Sequence, residues 1–168
     1  MRKIPWIVFT LMLLFAIFYV TGTVSELPPL VASHFDGAGS ANAYMTRSVY
    51  TKFVLTMGVA FPIALVALLS VVFSVAKDMK LPNRNYWLAP ERMVRTRSRL
   101  VSYGVWFGSL MVAMACYVHW LILGAHRNVP PHLPNQSFGT GLFVFFLITG
   151  AWIIALRRAF RLPPGTTL

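Results

Sequence analysis

Residues 4–25, 53–76, 100–126 and 128–156 contain no Asp, Glu, Lys or Arg. A helix needs about 20 apolar residues to cross the hydrocarbon layer of a bilayer, so these charge-free runs constrain the fold more than any other feature. They predict spans over about residues 4–24, 53–76, 100–123 and 139–156. The last is the shortest, because residues 128–138 are polar and proline-rich. The expected fold is an all-α integral membrane protein with one domain over residues 1–168, a four-transmembrane-helix bundle. Composition agrees: 57% of residues are apolar and 11% charged, against about 25% charged in ordinary globular chains.

The net charge of +11 raises the question of a nucleic-acid partner, and its distribution answers it. Threading the four spans puts Arg2, Lys3, Lys77, Lys80, Arg84, Arg92, Arg95, Arg97, Arg99, Arg157, Arg158 and Arg161 on one side of the membrane. Only Arg47, Lys52 and Arg127 fall on the other. Basic residues accumulate in cytoplasmic loops. Both termini are therefore expected inside, and topology accounts for the charge without nucleic acid. The first apolar run is too long for the roughly 7–15-residue core of a secretory signal, so it is read as a span. The single cysteine, Cys116, excludes an internal disulfide.

Several residues predict how the spans pack. Trp6, Trp106 and Trp152 fall toward the inner ends, and Tyr19, Tyr117 and Trp120 toward the outer ends, where amphipathic rings prefer to lie. Pro62 removes a backbone donor inside the second span and predicts a kink. Gly104 and Gly108 form a GxxxG pair, and Ala60, Ala64 and Ala67 a stripe of small residues. Both allow close helix approach and are read as packing within one bundle rather than as a dimer seam.

Two loops carry the remaining information. In the outer loop, residues 25–52, Leu30–Phe35 reads as a strand, Asp36–Asn42 as a turn and Ala43–Thr46 as a return strand. Gly37 and Gly39 permit positive φ, and Asp36 can bond its own backbone. Thr46 or Ser48 is placed to cap the second helix. Phe35 is expected to dip toward the apolar layer and His34 to point away from it. In the inner loop, residues 77–99, Pro90 suits the first position of a helix and Glu91 its positive end. That helix should run unbroken into the third span. At about 100° per residue, Arg92, Arg95 and Arg99 share one face. The stripe reads as a topology signal attracted to anionic lipid, or else as a docking face for an acidic cytoplasmic partner.

All four histidines are expected toward the outer surface: His34, His126 and His132 in loops, and His119 at the headgroup level beside Trp120. With Asp36 they offer ligand types suited to zinc or copper, but no closed metal spacing occurs. His34, Asp36, His126 and His132 are the candidates for a metal site. Haem would need facing axial ligands in the core, and only His119 is even partly inside, so no cofactor is expected. No nucleophile–base–orienter set is present, and the chain does not read as an enzyme.

The phrase LPPLVASHFDGAGSANAYMTR resembles the outer-loop signature of the DUF1648 family, and NYWLAPER resembles the inner-loop phrase of its small stand-alone members. The resemblance singles out Leu27, Pro28, His34, Phe35, Asp36, Gly39, Tyr44 and Arg47 outside. Inside it singles out Tyr86, Trp87, Pro90, Glu91 and Arg92, with Arg95 and Arg99 continuing the stripe. It implies a multi-pass protein of the bacterial inner membrane, related to the N-terminal region of SdpI-type immunity proteins. Those protect a cell from a membrane-active toxin and can relay its presence to a repressor. Three functions follow as expectations: a sensor or immunity-like protein, an accessory subunit of a larger membrane complex, or a metal-handling protein using the outer histidines.

Overall fold

The computed structural model describes residues 3–75 and 81–163; Arg2, Lys77 and Lys80, and with them the start of the expected inner loop, lie outside the described residues. Four helices are long and apolar enough to span a membrane, which makes this a multi-pass membrane protein by length and composition. Helix α1 (Lys3–Thr23) ends in a 3-10 turn, Val24–Glu26. A β-hairpin follows, β1 (Leu30–Phe35) paired antiparallel with β2 (Ala41–Thr46). Helix α2 (Arg47–Val75), α3 (Pro90–Ala125) and α4 (Asn135–Ala159) complete the chain, with a single helical turn, Arg84–Trp87, before α3.

Helices α2 and α3 start before their apolar runs, each for a local reason. Helix α2 starts at Arg47 rather than Phe53 because Thr46, extended at φ −65° and ψ 148°, accepts a hydrogen bond from the Val49 amide. Helix α3 starts at Pro90, whose missing N–H costs nothing at a first-turn position, with Glu91 beside it. Nothing interrupts it before Ala125, so the basic residues from Arg92 to Arg99 sit on the same rod as the third span.

Packing centres on α3, against which α1, α2 and α4 all lie. On α1 the buried residues Pro5, Phe9, Ala16 and Val20 form one stripe. On α2 they are Tyr50, Val54, Gly58, Pro62 and Val66, a strict four-residue repeat. Such a repeat drifts about 40° per step around an ordinary helix. A wide turn at Thr56–Ala60, in which the Phe61 amide bonds back to the Thr56 carbonyl, takes up part of that drift. It lies immediately before Pro62, where a donor is missing. The alanine stripe is a correction: Ala60, Ala64 and Ala67 are all exposed, because the inward face of α2 belongs to the four-residue repeat. Gly104 faces Leu69 and Phe73, and Gly108 faces Val66 and Phe9, so the GxxxG pair of α3 meets α2 and α1 of its own chain. Helix α4 has no buried residue and packs chiefly on α3.

At the end of the bundle away from the hairpin, the C-terminal carbonyls of α4 need partners, as helix ends do. Arg99 donates to Ala159 O at 3.1 Å, while Trp87 Nε1 and Asn83 Nδ2 donate to Phe160 O at 2.8 and 3.2 Å. Phe160 is buried against Leu100 and Trp87. The loop before α3 is thereby tied to the end of α4.

A methyl group at Gly108 would run into Val66 and Phe9. Gly108→Ala should therefore destabilise the bundle by about 1–3 kcal/mol through overpacking, seen as a lower thermal midpoint in detergent. Gly150→Ala, at an open position, should leave the midpoint unchanged.

Candidate functional site

The hairpin end holds three linked features: the turn of HFDGAG, a cleft beneath it, and a buried polar hub. In the turn, one Asp36 carboxylate oxygen accepts from the amides of Ala38 and Ser40, both at 2.9 Å. Gly39 adopts φ +91°, where a side chain is strained. Its carbonyl accepts from the Leu133 amide at 2.8 Å. A Cβ on Gly39 would stand 2.5 Å from the Leu133 carbonyl oxygen. Gly37, by contrast, needs no positive φ and has open space around it. Asn135 Nδ2 donates to Gly37 O at 2.9 Å, and the Ser40–His132 bridge adds a further tie. The turn is thus latched to the segment joining α3 and α4.

The other signature residues act on the same framework. Arg47 donates to the carbonyls of Ser25 and Leu27 at 3.1 and 2.8 Å, clamping the chain as it leaves α1. Leu27 is buried with Val31, Tyr50 and Ile122, and Phe35 packs against that cluster. Pro28 and Tyr44 are exposed. His126 receives the Ala32 amide on Nε2 at 3.0 Å and donates through Nδ1 to Ile122 O at 2.8 Å, so both ring nitrogens are engaged. His34 is exposed and donates through Nδ1 to Asn42 Oδ1 at 2.5 Å, because that oxygen can only accept.

Between hairpin and bundle runs a cleft of about 500 Å³. Its lining combines polar His34, Asp36 and Asn135 with apolar Phe35, Val118, Leu121, Ile122, Leu133 and Phe138. A lining of polar and apolar side chains suits a ligand with both kinds of surface, and the volume is within the usual range for small-molecule sites.

The hub escaped the sequence reading. His119 does not face outward with Trp120: it is 0% exposed, turned inward to α1 and α2. Thr23 Oγ1 lies 2.8 Å from its Nε2 and Tyr50 OH 2.7 Å from its Nδ1, while Thr23 Oγ1 also donates to Tyr19 O at 2.7 Å. These contacts assign every proton. Thr23 spends its hydrogen on Tyr19 O, so it accepts from Nε2–H, and Nδ1 is then free to accept from the Tyr50 hydroxyl. The result is a chain of satisfied bonds across α1, α2 and α3, with the Tyr19 ring edge-on to the imidazole at 5.3 Å. An ionisable group inside a span is itself a functional signal. Tyr19 and Thr23, one turn apart on α1, were the sequence cue that it has partners.

The candidate metal ligands are not brought together. Among the described residues no three His, Cys, Asp or Glu side chains are placed to share an ion. Asp36 closes the turn and both nitrogens of His126 are occupied. At the opposite end, the inner-loop signature lines a second cavity: Tyr86, Trp87, Glu91, Arg92, Arg95 and Arg99 stand in its wall, while Pro90 starts α3.

Compared with protein-family models, with curated proteins and with solved structures, the chain matches none.

Gly39→Ala should loosen the latch, with faster amide hydrogen exchange at Leu133 and Ser40 and a cost of about 1–3 kcal/mol from backbone strain. Gly37→Ala in the same turn should leave exchange unaltered. For the hub, Tyr50→Phe strands Nδ1 of His119 and should cost about 1–2 kcal/mol. The double variant Tyr50→Phe/His119→Leu should cost less than the two single changes added together, measured as a thermodynamic cycle of detergent unfolding.

Proposed function

We propose that this chain is a DUF1648-type protein of the bacterial inner membrane, with both termini in the cytoplasm, that senses or confers immunity to a membrane-active agent. The observation that carries the reading is the cleft under the hairpin, lined by polar His34, Asp36 and Asn135 together with apolar side chains. An agent partitioning into the outer leaflet brings a polar part and an apolar part to that depth. The lining residues Val118, Leu121 and Ile122 bracket His119 on α3. An occupant that shifts this turn of α3 would act on the hub, and through it on α1 and α2. In this role the protein is a non-catalytic receptor without a cofactor, and its arginine-rich end is the side from which a change would be passed on.

A second reading, an accessory subunit of a membrane complex, is favoured by α4. That helix buries no residue and leaves most of its apolar surface outside the bundle. A stoichiometric companion chain found by native mass spectrometry of gently extracted protein would select this reading.

For the receptor, a bacterial host expressing the chain should tolerate a higher dose of at least one agent in a panel of membrane-active peptides. Val118→Trp, which fills the cleft, should abolish that protection while the protein accumulates normally. Equal protection by Val118→Trp, or protection against no agent, would overturn the assignment.

A further inference from the structure

The cavity at the other end of the molecule has a chemistry of its own. It is an open groove of about 1020 Å³ between the Arg84–Trp87 turn and the first three turns of α3. Its wall contains Arg92, Arg95 and Arg99, with the hydroxyl residues Ser98 and Ser102. Among the described residues, the partners that hold Arg92 and Arg99 are neutral, so these contacts leave their charge uncompensated. Arg92 lies over the Tyr86 ring, 4.0 Å from its centroid, and donates to Tyr86 O at 3.4 Å. Arg99 donates to Ala159 O and lies 6.0 Å from the Phe160 centroid. Each uses part of its donor fork and leaves the rest for a ligand. Arg95 is exposed in the same wall.

Glu91 also stands in this wall and decides where an anion sits. At about 1.5 Å per residue, Glu91 is ~12 Å along the helix from Arg99, so the Arg99–Ser102 end is the positive one. That end also faces the membrane. Trp106 is 41% exposed, and Trp152 donates to Tyr103 O across the α3–α4 contact; indoles mark the edge of the hydrocarbon layer. Ser102 and Arg99 lie ~6 and ~10 Å beyond Trp106 along the axis. The headgroup region adds roughly 5–8 Å on each face, so Ser102 lies at its depth and Arg99 at its outer boundary.

We infer that this cavity is a binding site for the phosphodiester of an anionic phospholipid, held by Arg99 and Arg95 with the hydroxyl of Ser98; the Ser102 hydroxyl lies in the same wall but donates to Ser98 O at 2.9 Å and is not a phosphate donor. Guanidinium forks match phosphate oxygens in pairs. The acyl chains of such a lipid run down past Trp106 along the apolar part of α3. The site is independent of the cleft under the hairpin, and its proof or failure leaves that reading untouched.

The test uses the full-length protein in detergent, offered an equimolar mixture of phosphatidylglycerol and phosphatidylcholine and weighed by native mass spectrometry. Phosphatidylglycerol should be retained in preference. Arg95→Gln/Arg99→Gln should lower its bound fraction roughly tenfold or more. Arg157→Gln/Arg158→Gln removes the same charge at the same end and should change it less than about twofold. Because Arg99 also ties the end of α4, Arg95→Gln alone is the second variant, with an expected loss of roughly threefold or more. Equal losses in the two double variants would mean diffuse attraction and overturn the site, as would equal retention of the two lipids or no loss in Arg95→Gln. Tighter binding of inorganic pyrophosphate than of phosphatidylglycerol would reassign the phosphate chemistry to a soluble ligand. Preferential binding of a polyglutamate peptide would reassign the cavity to a protein partner.

Discussion

An imidazole buried among membrane-spanning helices must have both nitrogens satisfied by other helices, because lipid offers no hydrogen bonds. That requirement organises the hairpin end of this protein. His119 on α3 meets Thr23 at the end of α1 and Tyr50 near the start of α2, so one side chain fixes the relative depth of three helices. Apolar packing alone would not do this, since helices in lipid have little hydrophobic reason to prefer each other over acyl chains. With the three ends fixed, the short connection from α1 to α2 has a defined span to bridge. The Arg47 clamp on Ser25 and Leu27 and the burial of Leu27 under the hairpin follow from that geometry.

The hairpin is supported from both sides. Tyr50, Val20 and Ile122 form its apolar floor, and the segment after α3 supplies its lateral ties through His126, His132 and Leu133. This explains why an exposed turn holds a residue as costly as a positive-φ glycine so close to a backbone oxygen. Gly39 is where the hairpin and the α3–α4 connection touch, and only the absence of a Cβ lets their main chains bond. The cleft lies in the space left beside that contact. Its shape therefore depends on structural residues, Asp36 and Gly39 among them, as much as on its own lining.

What could be read from the sequence was what depends on local chemistry. Charge-free runs located all four helices, Asp36 with its glycines located the turn, Pro90 and Glu91 located the start of α3, and Thr46 was placed to cap α2. What could not be read depends on which faces meet. The alanines of α2 looked like a packing stripe but face outward, because Tyr50, Val54, Gly58, Pro62 and Val66 claim the inward side. The local sequence offered His119 no inward partner beside Trp120, yet adjacent residues on a helix point about 100° apart. Trp120 is 52% exposed while His119 is sealed. The cleft and the arginine cavity are assembled from segments distant in sequence, and no spacing rule anticipates either.

The helices that link the two ends differ mechanically. Helix α3 runs 36 residues without a break, about 54 Å, and walls both cavities. The stretch from Ser102 to Val118 separates them by ~24 Å, most of a hydrocarbon thickness. Helix α2 covers the same distance but is interrupted by the wide turn at Thr56–Ala60 and by Pro62. A stiff rod transmits displacement along its axis, whereas an interrupted one bends where its hydrogen-bond ladder is incomplete. Tyr50 lies on the hairpin side of that interruption, and Leu69 and Phe73, which pack on Gly104, lie on the other. A shift at the hub would therefore reach the arginine end along α3, while α2 would absorb it near its midpoint.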